Sequence, residues 1–183
     1  MVRALLDGRK TQTRRCGKRD FLRSGIMEWN GREMQPLPSY APGDRLWVRE
    51  AWGMGVSDHG DCPRYKATLD YQCGDKIISP HEGPFKWKSP IHMPRKFSRL
   101  TLTVTDVRVQ RLQEISEADA VAEGVDAVSM ADVPRQAAMS SRSDFAALWN
   151  SLHGPDAWDQ NPWVVALTFD VHRCNIDRVG ETT

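Results

Sequence analysis

Arg99-Leu-Thr-Leu-Thr-Val-Thr-Asp-Val-Arg-Val-Gln-Arg111 is the longest strand signal in the chain. Its alternation sets Leu100, Leu102, Val104 and Asp106 on one face against Thr101, Thr103, Thr105, Val107 and Val109 on the other. That two-residue period is the mark of a β-strand. Downstream, Ser116-Glu-Ala-Asp119 opens a helix in the manner of a capping box, and Gly124 stops it. Ser143 is expected to cap a second helix, with Phe145, Leu148, Trp149 and Leu152 as its core stripe. Trp163 to His172 closes the domain as a strand that buries Trp163, Val165, Leu167, Phe169 and Val171. Upstream, Ser89 to Lys96 forms a proline-stiffened loop carrying His92, Arg95 and Lys96. It reads equally as a phosphate-binding pocket rim and as plain connection. Pro42-Gly43-Asp44 is a turn into a strand over Leu46 to Trp52, with Leu46, Val48, Glu50 and Trp52 on one face. A shorter strand is expected from Tyr65 to Leu69, and loops at Cys16 to Tyr40, 53–64, 70–90 and 126–142. Val2 to Leu6 reads as a short helix ended by Gly8, followed by an extended Lys10 to Arg15. Helix, several strands, two helices and a last strand argue an α+β domain built on a small curved sheet or barrel.

The length of 183 residues implies one domain, placed at 1–175, with insertions near 16–41 and 53–90 and a polar tail at 176–183. Seven tryptophans and 40% hydrophobic residues suffice for a core. A net charge of +1 conceals an asymmetry. Residues 1–30 hold eight Lys/Arg against three Asp/Glu, and residues 113–159 nine acids against two bases. The basic arm suits an anionic partner such as nucleic acid or nucleotide, or the acidic region of its own chain. No apolar run is long enough for a membrane span and no signal peptide is visible, so a cytoplasmic protein is expected, with no membrane partner. The four cysteines, irregularly spaced, are expected to be reduced. His59, Cys62, Cys73 and His81 match no zinc-ligand spacing, and neither a metal nor a cofactor is expected.

Near the N-terminus lies Gly8-Arg9-Lys10-Thr11-Gln12-Thr13-Arg14-Arg15. It holds four cations and no apolar residue, and a buried unpaired charge is costly to desolvate. The octet is therefore expected to be solvated surface or the lining of a polar cleft. Alternation along a strand would set Lys10 and Thr13 on opposite faces unless Lys10 precedes the regular strand or a bulge intervenes. Glu123 is the other anomaly: a carboxylate in a helix's last turn opposes the helix dipole. It is either solvated surface or the sign of a specific partner.

The pattern Gly-x-Lys-Thr-x-Thr-x-Arg after a short helix resembles the signature of the ASCH family, small PUA-like β-barrels linked to RNA and modified nucleosides. The Pro42–Trp52 segment and the order of the remaining elements are similar to that family as well, including its longer bacterial and phage members. The broader family pattern has Glu where this chain has Thr13. Threonine there resembles the branch of amidohydrolases that deacetylate acetylated cytidine. The resemblance implies Lys10, Thr13 and Glu123 as catalytic residues of a hydrolase acting on an acylated pyrimidine nucleoside or RNA. A hydroxyl such as Thr13 needs a base beside it, and Lys10 is the base that the motif offers. Arg9, Arg14 and Arg15, with Glu50, Trp52, His92, Arg95 and Lys96, are the expected substrate- or nucleic-acid-binding residues. In a purely RNA-binding module, Arg14, Arg15, Lys18, Arg19, Arg95 and Lys96 hold phosphates while Trp52 or Tyr65 stacks on a base. A ribonuclease would use the same basic cleft.

Overall fold

The computed structural model describes residues 1–16, 27–29, 34–57, 60–68, 71–73, 76–78, 86–125 and 140–180. The fold is mixed α+β. In chain order its elements are α1 (Val2–Leu6), β1 (Gln12–Arg15), β2 (Met27–Trp29), β3 (Met34–Pro36), β4 (Arg45–Trp47), β5 (Trp52–Ser57), β6 (Gly60–Tyr65), β7 (Tyr71–Cys73), β8 (Lys76–Ile78), β9 (Thr101–Arg111), α2 (Glu117–Ala122), α3 (Ser141–His153) and β10 (Trp163–His172). Among the described residues no sheet closes into a barrel. The chain divides into two compact units, one of Arg3–Asp44 and Thr103–Asp170 with Met1, the other of Arg45–Leu102 and Val171–Thr183 with Val2.

In the first unit the strand order is β1-β10-β9. β1 pairs antiparallel to β10, Gln12 opposite Thr168 and Arg15 opposite Val165. Val164, Val165, Ala166 and Leu167 are all fully buried, so both faces of β10 are covered, where the sequence suggested one. Leu112, Ile115, Ala120, Phe145, Trp149, Ala157 and Val164 form the core against which α2 and α3 lie. α2 starts as expected, with the Ser116 hydroxyl accepting from the Asp119 N–H. α3 starts earlier than expected: its cap is Ser140, which accepts from the Ser143 N–H. Its apolar stripe is also narrower. Phe145 and Trp149 are buried, but Leu148 is 43% exposed and Leu152 70%. β2 and β3 pair antiparallel within the segment expected to be loop.

In the second unit β5, β6, β7 and β8 make a four-stranded antiparallel sheet in sequence order. This corrects the loops expected at 53–64 and 70–90 and the strand expected from Tyr65 to Leu69. Gly53, Gly55 and Pro63 lower the strand propensity of β5 and β6, but hairpin pairing from Trp52↔Tyr65 to Ser57↔Gly60 overrides it. β4 is only three residues long and the strand does not continue to Trp52. The expected alternation survives in burial alone, with Val48, Glu50 and Trp52 inside. Trp52, Tyr65 and Met93 form the centre of this unit's core, with Trp47 and Phe97 against them. The 3₁₀ turn Ile176–Arg178 is ordered by the Asn175 side chain and buries Ile176, so this part of the expected polar tail is packed. Cys62 is disulfide-bonded, against the expectation of reduced thiols, while Cys16 and Cys174 form no disulfide. Of the candidate zinc ligands, His59 and His81 lie outside the described residues.

Candidate functional site

The C-terminal end of α2 is seated on the segment between α1 and β1. Arg9 and Lys10 donate their backbone N–H groups to the Ala4 carbonyl, and the Thr11 N–H caps the Ala122 carbonyl at 2.9 Å. Gly124 ends the helix at φ +77°, a conformation open to glycine but strained for other residues. A Cβ there would stand 3.0 Å from the Lys10 Cβ and 3.2 Å from that of Ala4. Glycine is thus required by backbone angle and by space together.

This docking carries Lys10 to Glu123, a residue 113 positions away. The Lys10 Nζ donates to the Glu123 Oε2 at 2.7 Å and to the Glu123 backbone carbonyl, also at 2.7 Å. One ammonium thereby neutralises the carboxylate and satisfies an orphan carbonyl at the negative end of the helix. The placement of an acid at the wrong end of α2 has its physical explanation here. A second cation completes it: Arg14 Nη1 donates to Glu123 Oε1 at 3.1 Å and to Gln12 Oε1 at 2.6 Å. Arg14 Nη2 reaches Asp119 Oδ2 at 3.1 Å, and the guanidinium lies 5.9 Å from the Phe145 ring centroid. Gln12 bridges Asp119 and the Thr168 hydroxyl, and Arg108 joins Asp119 from the exposed side.

Three cations, Lys10, Arg14 and Arg108, face three acids, Glu123, Asp119 and Asp106. Lys10, Gln12 and Arg14 of the octet therefore enter the interior, where solvated surface or a polar cleft was expected, while Gly8, Arg9, Thr11 and Arg15 stay exposed. Lys10 at 6%, Gln12 at 3% and Arg14 at 6% exposure are buried because each charge meets an opposite one and each is hydrogen-bonded. Burial raises the pKa of Asp119, but hydrogen bonds from Arg108 and Gln12, with the charges of Arg108 and Arg14, outweigh it. Its carboxyl is held below the ordinary value.

Lys10 lies before the regular strand, which resolves the alternation problem for that residue. Thr13 is half-buried and projects from the other face of β1 to Gln12 and Arg14. Arg9 is exposed and paired with Asp7, and Arg15 reaches the Tyr40 hydroxyl at 3.4 Å. Of the octet's arginines, Arg14 has a fully buried side chain engaged by carboxylates, so its role here is to hold the acids in place.

The remaining expected binding residues belong to the second unit. Glu50 is buried and takes a bidentate pair from Arg99, at 2.8 Å to Nε and 2.9 Å to Nη2. Arg99 also lies 4.0 Å from the Tyr65 ring centroid. Burial, against the lowering effect of Arg99 and aided by Glu50, pushes the Tyr65 phenol up to about 12. Trp52 is buried against Phe97, with Lys88 over its ring. His92, Arg95 and Lys96 are exposed on two 3₁₀ turns. Lys18 and Arg19 lie outside the described residues.

Sequence reasoning missed Gln12, Asp119 and Arg108 as members of the buried network. The signal was present: Gln12 and Arg14 share a strand face, and Asp119 and Glu123 lie four residues apart on one helix face. Beside the network is a cavity of about 490 Å³ lined by Arg3, Ala4, Arg9, Gly124, Asp144 and Leu148, among others. One of its wall residues, Gly124, sits so close to Lys10 that a Cβ on it would stand 3.0 Å from the Lys10 Cβ.

No protein family, curated protein or solved structure with which the chain was compared matches it.

Proposed function

We propose that this chain is a hydrolase acting on an acylated pyrimidine nucleoside, free or within RNA, and that its sheet is an elaborated form of the PUA-like barrel. The observation that carries the reading is the buried Lys10–Glu123 pair at 2.7 Å, assembled from residues 113 apart. Amide hydrolysis requires a donor for the carbonyl oxygen, a base for the attacking group and a proton for the leaving amine. Lys10 has three N–H donors, of which two meet Glu123 and one is left to polarise a substrate carbonyl. Glu123 can take the proton of an attacking hydroxyl and return it to the departing nitrogen. Because Thr13 projects from the other face of β1, water is the simpler nucleophile, and the Thr13 hydroxyl is the alternative. The cavity beside Ala4 and Gly124 has the volume of a nucleoside site.

One observation favours a second reading, a non-catalytic RNA-binding module: both Glu123 oxygens already hold a cation. A ribonuclease remains within the same chemistry of donor and base. The test is turnover of acylated cytidines and short RNAs by the wild type, Lys10→Ala, Glu123→Ala and Thr13→Val, each checked for folding by circular dichroism. Cytidine release should fall about 10²–10⁴-fold in the Lys10 and Glu123 variants. Retention of rate in Thr13→Val selects water. RNA cleavage lost in the same variants would select the ribonuclease. No turnover, with RNA binding that weakens steeply with salt and survives Glu123→Ala, would leave a binding module.

A further inference from the structure

The second unit carries the chain's positive charge. It holds twelve Lys/Arg against eight Asp/Glu, where the first unit holds thirteen against sixteen. Two of its acids are already taken, Glu50 by Arg99 and Asp177 by Arg95. Arg49, Lys88 and Lys96 are exposed, and among the described residues none of the three meets a carboxylate. Each is seated instead over an aromatic ring of this unit's core. The Arg49 Cζ lies 4.6 Å from the Trp47 ring centroid, the Lys88 Nζ 5.0 Å from that of Trp52 and the Lys96 Nζ 5.0 Å from that of Phe97.

The backbone sets these seats. Lys88 donates its N–H to the Trp52 carbonyl at 2.7 Å and accepts from the Trp52 N–H at 3.3 Å, so its side chain starts beside the indole. Met93 is buried and its sulfur accepts from the Glu50 N–H, which pins the segment from Lys88 to Phe97 from inside. The Arg49 Nη1 reaches the Ile91 carbonyl of the same segment at 3.4 Å. The Trp52 and Phe97 centroids are 5.1 Å apart, so the Lys88 and Lys96 ammoniums stand no further apart than the three chained distances, roughly 15 Å. Successive phosphates of a stacked strand advance by about 3.4 Å, so a few nucleotides span the two. A ring holds a cation without cancelling its charge, and the N–H groups turned away from it stay available to an anion. The rings in turn are covered and leave no face on which a base could stack. This surface can read phosphate but not base.

We propose that Arg49, Lys88 and Lys96 bind the phosphodiester backbone of a single-stranded RNA, whatever its sequence. The proposal rests on the hydrolase reading in one respect: chemistry on a base needs that base out of the duplex stack, so the strand is met single. It adds that the substrate is a polymer, held by residues other than Lys10 and Glu123. An anionic bilayer is the poorer fit. Ile91, 68% exposed, is the only large apolar side chain exposed between Lys86 and Phe97, and stable membrane attachment takes more apolar surface than one isoleucine.

The test is fluorescence anisotropy of short, labelled, unstructured RNAs at salt from about 50 to 200 mM. The proteins are wild type, the triple variant Arg49→Gln/Lys88→Gln/Lys96→Gln and, as a control for net charge, Arg142→Gln on the surface of the first unit. A cooperative urea transition in each variant establishes that it is folded. Each phosphate contact on a single strand contributes about 0.7 to the slope of log affinity against log salt, so the wild-type slope should exceed that of the triple variant by about 2. At low salt the triple variant should bind at least tenfold more weakly and Arg142→Gln less than twofold more weakly. Oligocytidine and oligouridine should bind wild type alike. Equal slopes for wild type and triple variant overturn the proposal, as do a tenfold loss in Arg142→Gln, a tenfold preference for one sequence, or no saturable RNA binding at low salt. Binding to phosphatidylserine-containing vesicles as tight as to RNA, and lost in the triple variant, would give the surface to a membrane instead. No arm measures turnover. Strand binding through the three cations without hydrolysis of acylated cytidine would sink the hydrolase reading alone, and hydrolysis without strand binding would sink this proposal alone.

Discussion

Gly124→Ala isolates the seat on which the Lys10–Glu123 pair depends. At φ +77° an alanine is strained by about 1–2 kcal/mol. Its Cβ would also meet the Lys10 Cβ at 3.0 Å and the Ala4 Cβ at 3.2 Å, and overpacking of this kind costs about 1–3 kcal/mol. Loss of unfolded-state entropy returns about 0.4–1 kcal/mol, so the net destabilisation expected is about 2–4 kcal/mol. Gly8→Ala is the matched control, because Gly8 sits at φ +71° and a Cβ there meets nothing within 4 Å. It incurs the same backbone strain without the overlap and should cost about 1 kcal/mol or less. Equilibrium urea unfolding measures the difference. With a slope of about 1–3 kcal/mol per molar urea, an extra 2 kcal/mol moves the midpoint by roughly 1 M. If Gly124→Ala unfolds at the same midpoint as Gly8→Ala, the close approach of α2 to Lys10 is not what holds this site together.

Three further outcomes follow from the same geometry. Glu123→Ala leaves the buried Lys10 ammonium without its carboxylate and should destabilise by about 3–5 kcal/mol, whereas Lys10→Met/Glu123→Leu should cost much less than the sum of the single changes; additive midpoints in urea would refute the coupling. Asp119 titrates below its unfolded value of about 3.9, so its contribution is present above that pH and is lost as pH falls through the folded value. The urea-midpoint gap between wild type and Asp119→Asn should therefore narrow on going from pH 6 to pH 2, and a constant gap would contradict the Arg108–Asp119–Gln12 arrangement. Tyr65 is raised to about 12 from an unfolded value of about 10, so its stability is full below pH 10 and is lost as pH rises through 12. Absorbance titration at alkaline pH should show a phenol ionising near 12 that Tyr65→Phe removes; its persistence in that variant would move the assignment elsewhere.

What was legible in the sequence followed the strength of local pattern. β9, β10 and the Ser116 cap were readable because alternation and capping chemistry are local and unambiguous. The β5–β6 hairpin was not, because Gly53, Gly55 and Pro63 speak against a strand and only their cross-strand partners speak for one. Leu148 and Leu152 failed for a related reason: helical spacing identifies a face, but the width of the buried stripe depends on what packs there. The site divides along the same line.

Glu123 was visible as a local conflict, an acid at the negative end of a helix, but the helix alone left solvated surface and a specific partner both open, and only the fold brings Lys10 to it. The burial of Arg14 was not visible, since a run of four cations looks solvated until the acids that neutralise it are brought in from α2. Desolvating Lys10 and Arg14 is costly unless Glu123 and Asp119 arrive together, so the network forms as a unit or leaves charges unpaired. That cooperativity ties the chemistry to the fold. Any change that loosens the seat of α2 on the Arg9–Thr11 backbone displaces Lys10 from Glu123, and the buried ion pair is lost before the core is.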